Sequence, residues 1–507
     1  MVSVSFKKRF FALALALCVL LTLSACGGET PSSAPSSSGQ MFSDSDTDTE
    51  ISEEATKVTL AGKTVTIAKA GEYVISESIA DGQIIIDTDK DAEIQLHLDG
   101  VTIKSTTCAA IYVKSAGKVI ITPKKGTENT LEVNGTFAQI DGNNVDGVIF
   151  SKTDLTINGE GKLNVSTAYG HGIVSKDNLV ITGGNVNIEA SKHGLSAKDS
   201  LRVSGGNYTI NAGTDGINVE NLEDATCGYF YAEGGKFNIA CRGDGIDTSS
   251  SVTMGGGDFT ISSEDDAIHA TTDLKISGGK IDIKKSYEGL EGTTVEISGG
   301  EISLVSSDDG INAAGGNDES GHGHGDNFSS SDSFVKISGG KLTVDAGGDG
   351  IDSNGTVTVS GGETYISGPV SGANGALDFG ISAEVSGGKF VAVGTTGMAQ
   401  NFTTAKNQGA IKVNLSGAAG DKLTLCDETG KELFSCTLKK SFQSVVISTP
   451  DIQTDKTYIL KTSTAETTVT MTELIYGASG GFGGPPGGLP SGRPGGMGGG
   501  GRPSMTR

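Results

Sequence analysis

Between residues 58 and 396 the chain alternates short runs of Val, Ile, Leu and Thr with Gly, Asn and Asp, and apolar side chains fall at every second position. That period puts alternate residues on opposite faces of an extended backbone and predicts strands. One phrase recurs, apolar-x-apolar-Ser-Gly-Gly-x-apolar-x-apolar, as at Leu201-Arg202-Val203-Ser204-Gly205-Gly206, Leu274-Lys275-Ile276-Ser277-Gly278-Gly279 and Val357-Thr358-Val359-Ser360-Gly361-Gly362. From Gly184 to Gly388 its second glycine advances in steps of 22, 29, 22, 22, 21, 40, 22 and 26, so the base period is 22 with insertions. Strands this short do not make a hairpin sandwich at a fixed pitch. A coil of about three strands, stacked on the next at about 4.8 Å, explains the repeat and predicts a parallel β-helix.

The pattern also divides the chain. Lys7, Lys8 and Arg9 precede an apolar run from Phe10 to Leu23, and Leu23-Ser24-Ala25-Cys26 closes it. The run is too short for a comfortable span, and its ending matches a bacterial lipobox, so 1–26 reads as a lipoprotein signal with Cys26 as the lipidated residue. Two acyl chains on one cysteine would give durable anchoring at the extracellular face of the cell membrane. Residues 27–57 are rich in Ser, Thr, Asp and Glu without an apolar period and read as a disordered linker. The β-helix is expected over 58–396, a C-terminal β capping domain over 397–477, where the 22-residue period is lost, and a disordered Gly/Pro-rich tail over 478–507.

The formal net charge of -23 argues against nucleic acid, whose phosphates demand a basic face, and suits cations or acidic sugars bridged by cations. The chain is expected to act as a monomer. Cys426 and Cys436 flank a turn and read either as a hairpin disulfide or as half-buried thiols.

A second phrase carries candidate chemistry. It reads Asp215-Gly216-Ile217-Asn218, Asp244-Gly245-Ile246-Asp247, Asp309-Gly310-Ile311-Asn312 and Asp349-Gly350-Ile351-Asp352, with Asp266-Ala267-Ile268-His269 and Glu288-Gly289-Leu290-Glu291 between. Asp265 and Asp308 add an acid just before two of these. One per coil, the carboxylates form a column. Two bare carboxylates at about 4.8 Å repel by roughly 3.5 kcal/mol at an effective dielectric of 20. Calcium, which takes six to eight oxygens from Asp, Asn and carbonyls in loose geometry, would offset that repulsion. The alternative is a solvated row of Asp-Gly turns recurring for folding reasons. His171 and His193 stand in register with Asp215 and read as an extension of the column or as exposed turn residues. The loop His322-Gly323-His324-Gly325-Asp326 reads as a metal clip or a plain polar loop.

The Asp-Gly-Ile column, the Ser-Gly-Gly repeats, Lys198-Asp199-Ser200-Leu201, Leu98-Asp99-Gly100-Val101-Thr102-Ile103, Gly126-Thr127-Glu128-Asn129-Thr130-Leu131 and Ser441-Phe442-Gln443-Ser444-Val445-Val446 together resemble a known family. It is the bacterial carbohydrate-binding β-helix proteins, whose fold is like that of pectate-lyase-type polysaccharide lyases. The resemblance covers roughly 58–476. It implies a right-handed parallel β-helix, calcium on the coils, and binding of pectin-like acidic chains or cellulose. His171 and His193 depart from it, standing where that family tends to place Asp.

Three functions follow. A binding module would use the column and an aromatic platform, for which Tyr169 and Tyr287 are the candidates in a chain without Trp; Tyr208 and Tyr365 are others that packing would explain. A calcium-dependent lyase needs a Lys or Arg base near an ion, and Arg242, two residues before Asp244, is the candidate, with a salt bridge to the column as its other reading. A structural stalk or surface adhesin needs neither.

Overall fold

A computed structural model describes residues 41–60, 64–313, 332–372 and 374–477. Cys26, the His322–Asp326 loop and the 478–507 tail lie outside the described residues. Within them the chain is a large, mostly parallel all-β stack, consistent with a β-helix. One coil runs His171–Ser175, Asn178–Ile181 and Asn185–Ala190, and each strand pairs in parallel with its counterpart one coil on, at Leu195–Ala197, Ser200–Val203 and Asn207–Ala212. Three faces result, named here first, second and third in that order. Early strands join the same scheme, as where Ile149 pairs with Ile111 and Leu155 with Val119.

Inward residues stack in register. On the first face Ile173, Leu195, Ile217, Ile246, Ile268 and Leu290 follow one another, all fully buried. On the third face Tyr208, Phe237 and Phe259 stack with ring centroids 5.0 Å apart at each step. Tyr208 is therefore core packing. Tyr365 is packing too, lying nearly parallel to Phe434 at 6.3 Å against the C-terminal core.

The paired glycines have separate jobs. At Gly206 φ is +91°, a left-handed conformation that disfavours a side chain. At Gly205 a Cβ would come within 2.4 Å of the Thr182 carbonyl on the coil before. The glycine of the Asp-Gly-Ile phrase is there for closeness as well: a Cβ on Gly245 would meet the Ala267 carbonyl at 2.4 Å and Ile261 at 2.5 Å.

After the last coil strand, Ser382–Gly394, pairing turns antiparallel: Phe390 through Gly394 meets Ser448 through Ser444. A four-stranded antiparallel sheet follows, ordered Glu432–Thr437, Lys422–Asp427, Lys456–Lys461, Glu466–Met471. Val391 and Val393 of the last coil join its core. In that sheet Cys426 pairs with Glu432 and Cys436 with Leu423, so the two cysteines are out of register and both are free thiols.

The second half of the segment expected as linker has a defined course. Asp44–Thr47 forms a short helix capped by Ser43. The chain around it lies as a strap on the outer side of the second face. Arg202 Nη1 donates to the Met41 carbonyl (2.8 Å), Asn158 Nδ2 to those of Asp46 and Asp48 (3.2 and 2.8 Å), and Gln95 Nε2 to Asp48 (2.9 Å). It follows one register row, Glu72, Gln95, Ile120, Thr156, Val180, Arg202 and Tyr231. Ile120 and Val180 in that row are buried yet outside the main core, as expected of apolar groups under a cover. No described helix is long and apolar enough to cross a membrane.

Candidate functional site

The turn from the third face to the first brings the acidic phrases into one column. The parallel ladder continues through them: the Gly216 N–H donates to Asp244 O at 2.8 Å and that of Gly245 to Asp266 O at 2.9 Å. The side chains add a second ladder. The Asp244 N–H donates to Asp215 Oδ1 (3.1 Å), Asp266 to Asp244 Oδ1 (2.9 Å), Glu288 to Asp266 Oδ1 (2.9 Å) and Asp349 to Asp309 Oδ1 (2.6 Å). Each of these carboxylates is thus fixed through one oxygen by the amide of the next coil.

The acids are not solvated turn residues. Asp266, Glu291 and Asp349 are 2%, 3% and 9% exposed. Burial, then the charges of Asp266, Asp247, Asp215 and Asp265, push Asp244 up to about 9. Burial pushes Asp349 up to about 8, against a hydrogen bond from the Gly375 amide and with the charges of Asp352 and Asp378. Glu288 and Asp309 are raised well above the carboxylate range, first by burial and then by neighbouring carboxylates. Burial is the larger cause, and a Coulomb cost repeated at each coil adds to it, since the chain supplies few positive charges here.

Four sets hold ligand atoms within 4.8 Å of one another: Asp244, Asp265 and Asp266; Asp266, Glu288 and Glu291; Asp309, Asp349 and Asp352; and Asp244, Asp247 and His269. The first three are all-oxygen sets of the kind a hard cation takes. Asn312 lies beside them, its Nδ2 donating to Glu288 Oε2 at 2.9 Å while its Oδ1 is shut from solvent without a hydrogen bond. That spare oxygen and the hard, anionic donor set fit calcium. In the fourth set the chain supplies its own cation. Burial draws His269 down, but the hydrogen bond to Asp247 (2.8 Å) and the charges of Glu291, Asp247 and Asp244 hold it up at about 9.

Of the sequence candidates, Asp244, Asp247, Asp265, Asp266, Asp309, Asp349 and Asp352 come together in these sets. Asp215 and Asp308 fall outside them, and Asn218 and Asn312 each hydrogen-bond to a member carboxylate. Asp215 gives Oδ2 to His193 Nδ1 at 2.8 Å, and Asn218 Nδ2 donates to Asp247 Oδ2 at 3.0 Å. Asp308 takes a hydrogen bond from Tyr287, which is 37% exposed. Glu288, Glu291 and His269 belong to the sets but were not singled out as ligands. The period alone points to the glutamates, which lie 22 residues beyond Asp266 and His269.

His171 and His193 extend the column as half-buried groups, their rings stacked at 4.8 Å. His171 Nε2 lies 3.4 Å from Asp146, which Lys192 also bridges at 2.8 Å. Arg242 makes no salt bridge to the column. Its side chain leaves the turn toward solvent and, among the described residues, meets no carboxylate. Tyr169 is 49% exposed.

A family model described as carbohydrate-binding domain-containing protein matches residues 61–321 and 266–458. A carbohydrate-binding domain-containing protein of Acetivibrio thermocellus is 35% identical over 192 residues, 37% of this chain; the match spans 66% of that relative's length. A solved structure, the polysaccharide lyase-like protein from C. thermocellum as a gadolinium derivative, is 37% identical with a TM-score of 0.41, covering 43% of this chain and 89% of that one.

Proposed function

The chain belongs to the family of carbohydrate-binding domain-containing proteins, and from that premise we propose that it binds pectin-like acidic polysaccharide through calcium held along the carboxylate column. The observation that carries the reading is the column itself, with buried carboxylates turned on one another and a spare Asn312 oxygen beside them. Asp244, Asp265 and Asp266, then Asp266, Glu288 and Glu291, then Asp309, Asp349 and Asp352 would hold the ions. Bound calcium supplies positive charge with open coordination, which a uronate carboxylate can enter as a further oxygen ligand. The backbone amides that grip Asp244, Asp266 and Asp309 keep those oxygens in place from coil to coil. A right-handed, pectate-lyase-like coil, a lipid anchor at Cys26 and a monomer at the cell surface belong to the same reading. Cellulose is the less favoured ligand, because a chain without Trp lacks the usual platform for a flat glucan.

The test is native electrophoresis of the full chain through gels carrying polygalacturonate or cellulose, with calcium or with chelator. Retardation by polygalacturonate that chelator abolishes is expected. Equal migration in every gel overturns the reading. A second reading, cleavage of the same chains by β-elimination, is favoured by Arg242, a cation without a carboxylate partner two residues from Asp244. Absorbance of unsaturated uronates growing in the same mixtures, and lost in Arg242→Ala, would establish it.

A further inference from the structure

From the Asp244 end of the column a groove of about 790 Å³ runs back over the preceding coils, where third-face strands end and the turn to the first face begins. Its floor is a register row of mostly small side chains, Thr167, Ala190, Ala212 and Cys241. One wall is the outward row Glu132, Ser166, Glu189 and Asn211. The other wall is made by turn residues, among them Ala168, Ser191 and Arg242. From Glu132 to Arg242 the groove crosses four coil steps, about 19 Å at the strand spacing.

The two ends differ. Arg242 stands at the end that adjoins Asp244, its exposed guanidinium without an ion pair among the described residues. Toward the other end, on the coil of Ser166, Tyr169 follows the wall residue Ala168 in the chain and exposes 49% of its surface. Between them the polar groups are the hydroxyls of Ser166, Thr167 and Ser191, the amides of Asn134 and Asn211, and carboxylates. Lys104 bridges Glu132 at 2.7 Å, whereas Glu189 is exposed and makes no bridge to a cation among the described residues.

We infer that this groove, and not only the column, seats the glycan, and that it takes a chain in which a uronate is flanked by neutral sugars. The inference rests on the carbohydrate-binding reading and deepens it. A planar guanidinium takes a carboxylate through two parallel hydrogen bonds, so the Arg242 end selects a uronate. Ser166, Glu189 and Asn211 offer donors and acceptors to sugar hydroxyls, and the Glu189 charge disfavours a second carboxylate in the middle. The small floor lets a pyranose ring lie close to the backbone, and Tyr169 offers an aromatic face to a ring beyond. Pyranoses repeat along a chain at close to the coil spacing, so successive sugars meet successive coils.

The test is calorimetric titration of the full-length protein, in calcium, with three oligosaccharides of equal length: a polyuronate, an alternating uronate–neutral copolymer and a neutral glucan. The alternating copolymer should bind at least tenfold tighter than the polyuronate. Arg242→Ala should weaken it about tenfold, and Ser191→Phe, which fills the groove from an exposed turn, should abolish binding with an unchanged melting temperature. Wild-type affinity in both variants overturns the groove and leaves the calcium column as the binding surface. Preference for the polyuronate overturns the assigned chain chemistry. No binding of any oligosaccharide by the wild type overturns the carbohydrate-binding reading and the groove with it.

Discussion

Two parts of the molecule bury aspartates in opposite ways. Under the strap, Asp46 is 3% exposed, and its carboxylate meets Lys118 Nζ at 2.6 Å, Thr156 Oγ1 at 2.5 Å, and the hydroxyl and amide of Ser43 at 2.7 and 2.8 Å. Burial alone would raise it, yet those partners hold it below 3.8. On the column the same desolvation acts on Asp244, Glu288, Asp309 and Asp349, but their neighbours are other carboxylates and all four are raised. What separates the two regions is what the chain places opposite the charge. Asp46 finds its counter-charge and donors within the chain, and the column calls for a cation or protons from outside.

The comparison breaks first on calcium. If the column holds it, each site contributes about 2.7 kcal/mol at 100 times its dissociation constant. Several sites should therefore raise the melting temperature more than any single substitution lowers it. Scanning calorimetry with calcium and with chelator measures this; identical curves would remove the ion from the column. Next in size is a change of sign at Asp309. Asn can still accept the Asp349 N–H, but it removes a charge. At pH 9 with chelator, Asp309→Asn should stabilise the chain by up to about 3 kcal/mol, the repulsion of one carboxylate pair at an effective dielectric of 20. With calcium it should destabilise. One direction in both buffers would mean that repulsion does not govern the column.

Asp46→Ala should behave differently, costing about 2 kcal/mol with or without calcium, because it takes the counter-charge from Lys118 and the acceptor from the Thr156 hydroxyl under the strap. In a stack whose coils contact only their neighbours, the loss should be local. Deuterium exchange should rise in residues 41–50 and not at the column. Uniform exchange across both regions would mean that the strap is not a separate unit.

The difference in legibility follows the same physics. The stack was readable because each inward position repeats at the 22-residue step, and a parallel ladder turns that step into contact: Asp266 over Glu288, His269 over Glu291. The column's acids are visible for that reason, and the phrase around Glu288 and Glu291 is visible as a variant, though its glutamates are not among the ligands expected from the sequence. The strap gave no such signal. Thr156 and Thr182 lie 110 and 136 residues from Asp46, and a stretch rich in Ser, Thr and Asp has the composition of a linker. A faint sign existed in Ile120 and Val180, apolar at outward positions of a face that elsewhere shows Lys275, Glu296 and Lys336. For Arg242 only the salt-bridge reading fails, and for the converse reason. Nearness to Asp244 in the chain does not set a direction in space, and the turn sends the side chain toward the groove.

Acidity gives the finest division between the regions. A carboxyl raised in the folded state binds its proton more tightly there than in the unfolded chain. Its contribution is complete below the unfolded value of 3.8 and is lost as pH rises through the folded value, about 8 for Asp349 and about 9 for Asp244. Calcium-free protein should therefore lose melting temperature steadily from pH 5 to pH 9. Asp46 has the opposite sign: its contribution is present above 3.8 and fades as pH falls below that value, so strap exchange should quicken only in acid. Added calcium competes with protons for the column, so it should flatten or reverse the first slope and leave the second unchanged. A calcium-free melting temperature that instead rose from pH 5 to pH 9 would show that the column's carboxylates are paired by groups of the chain, and the contrast with the strap would be lost.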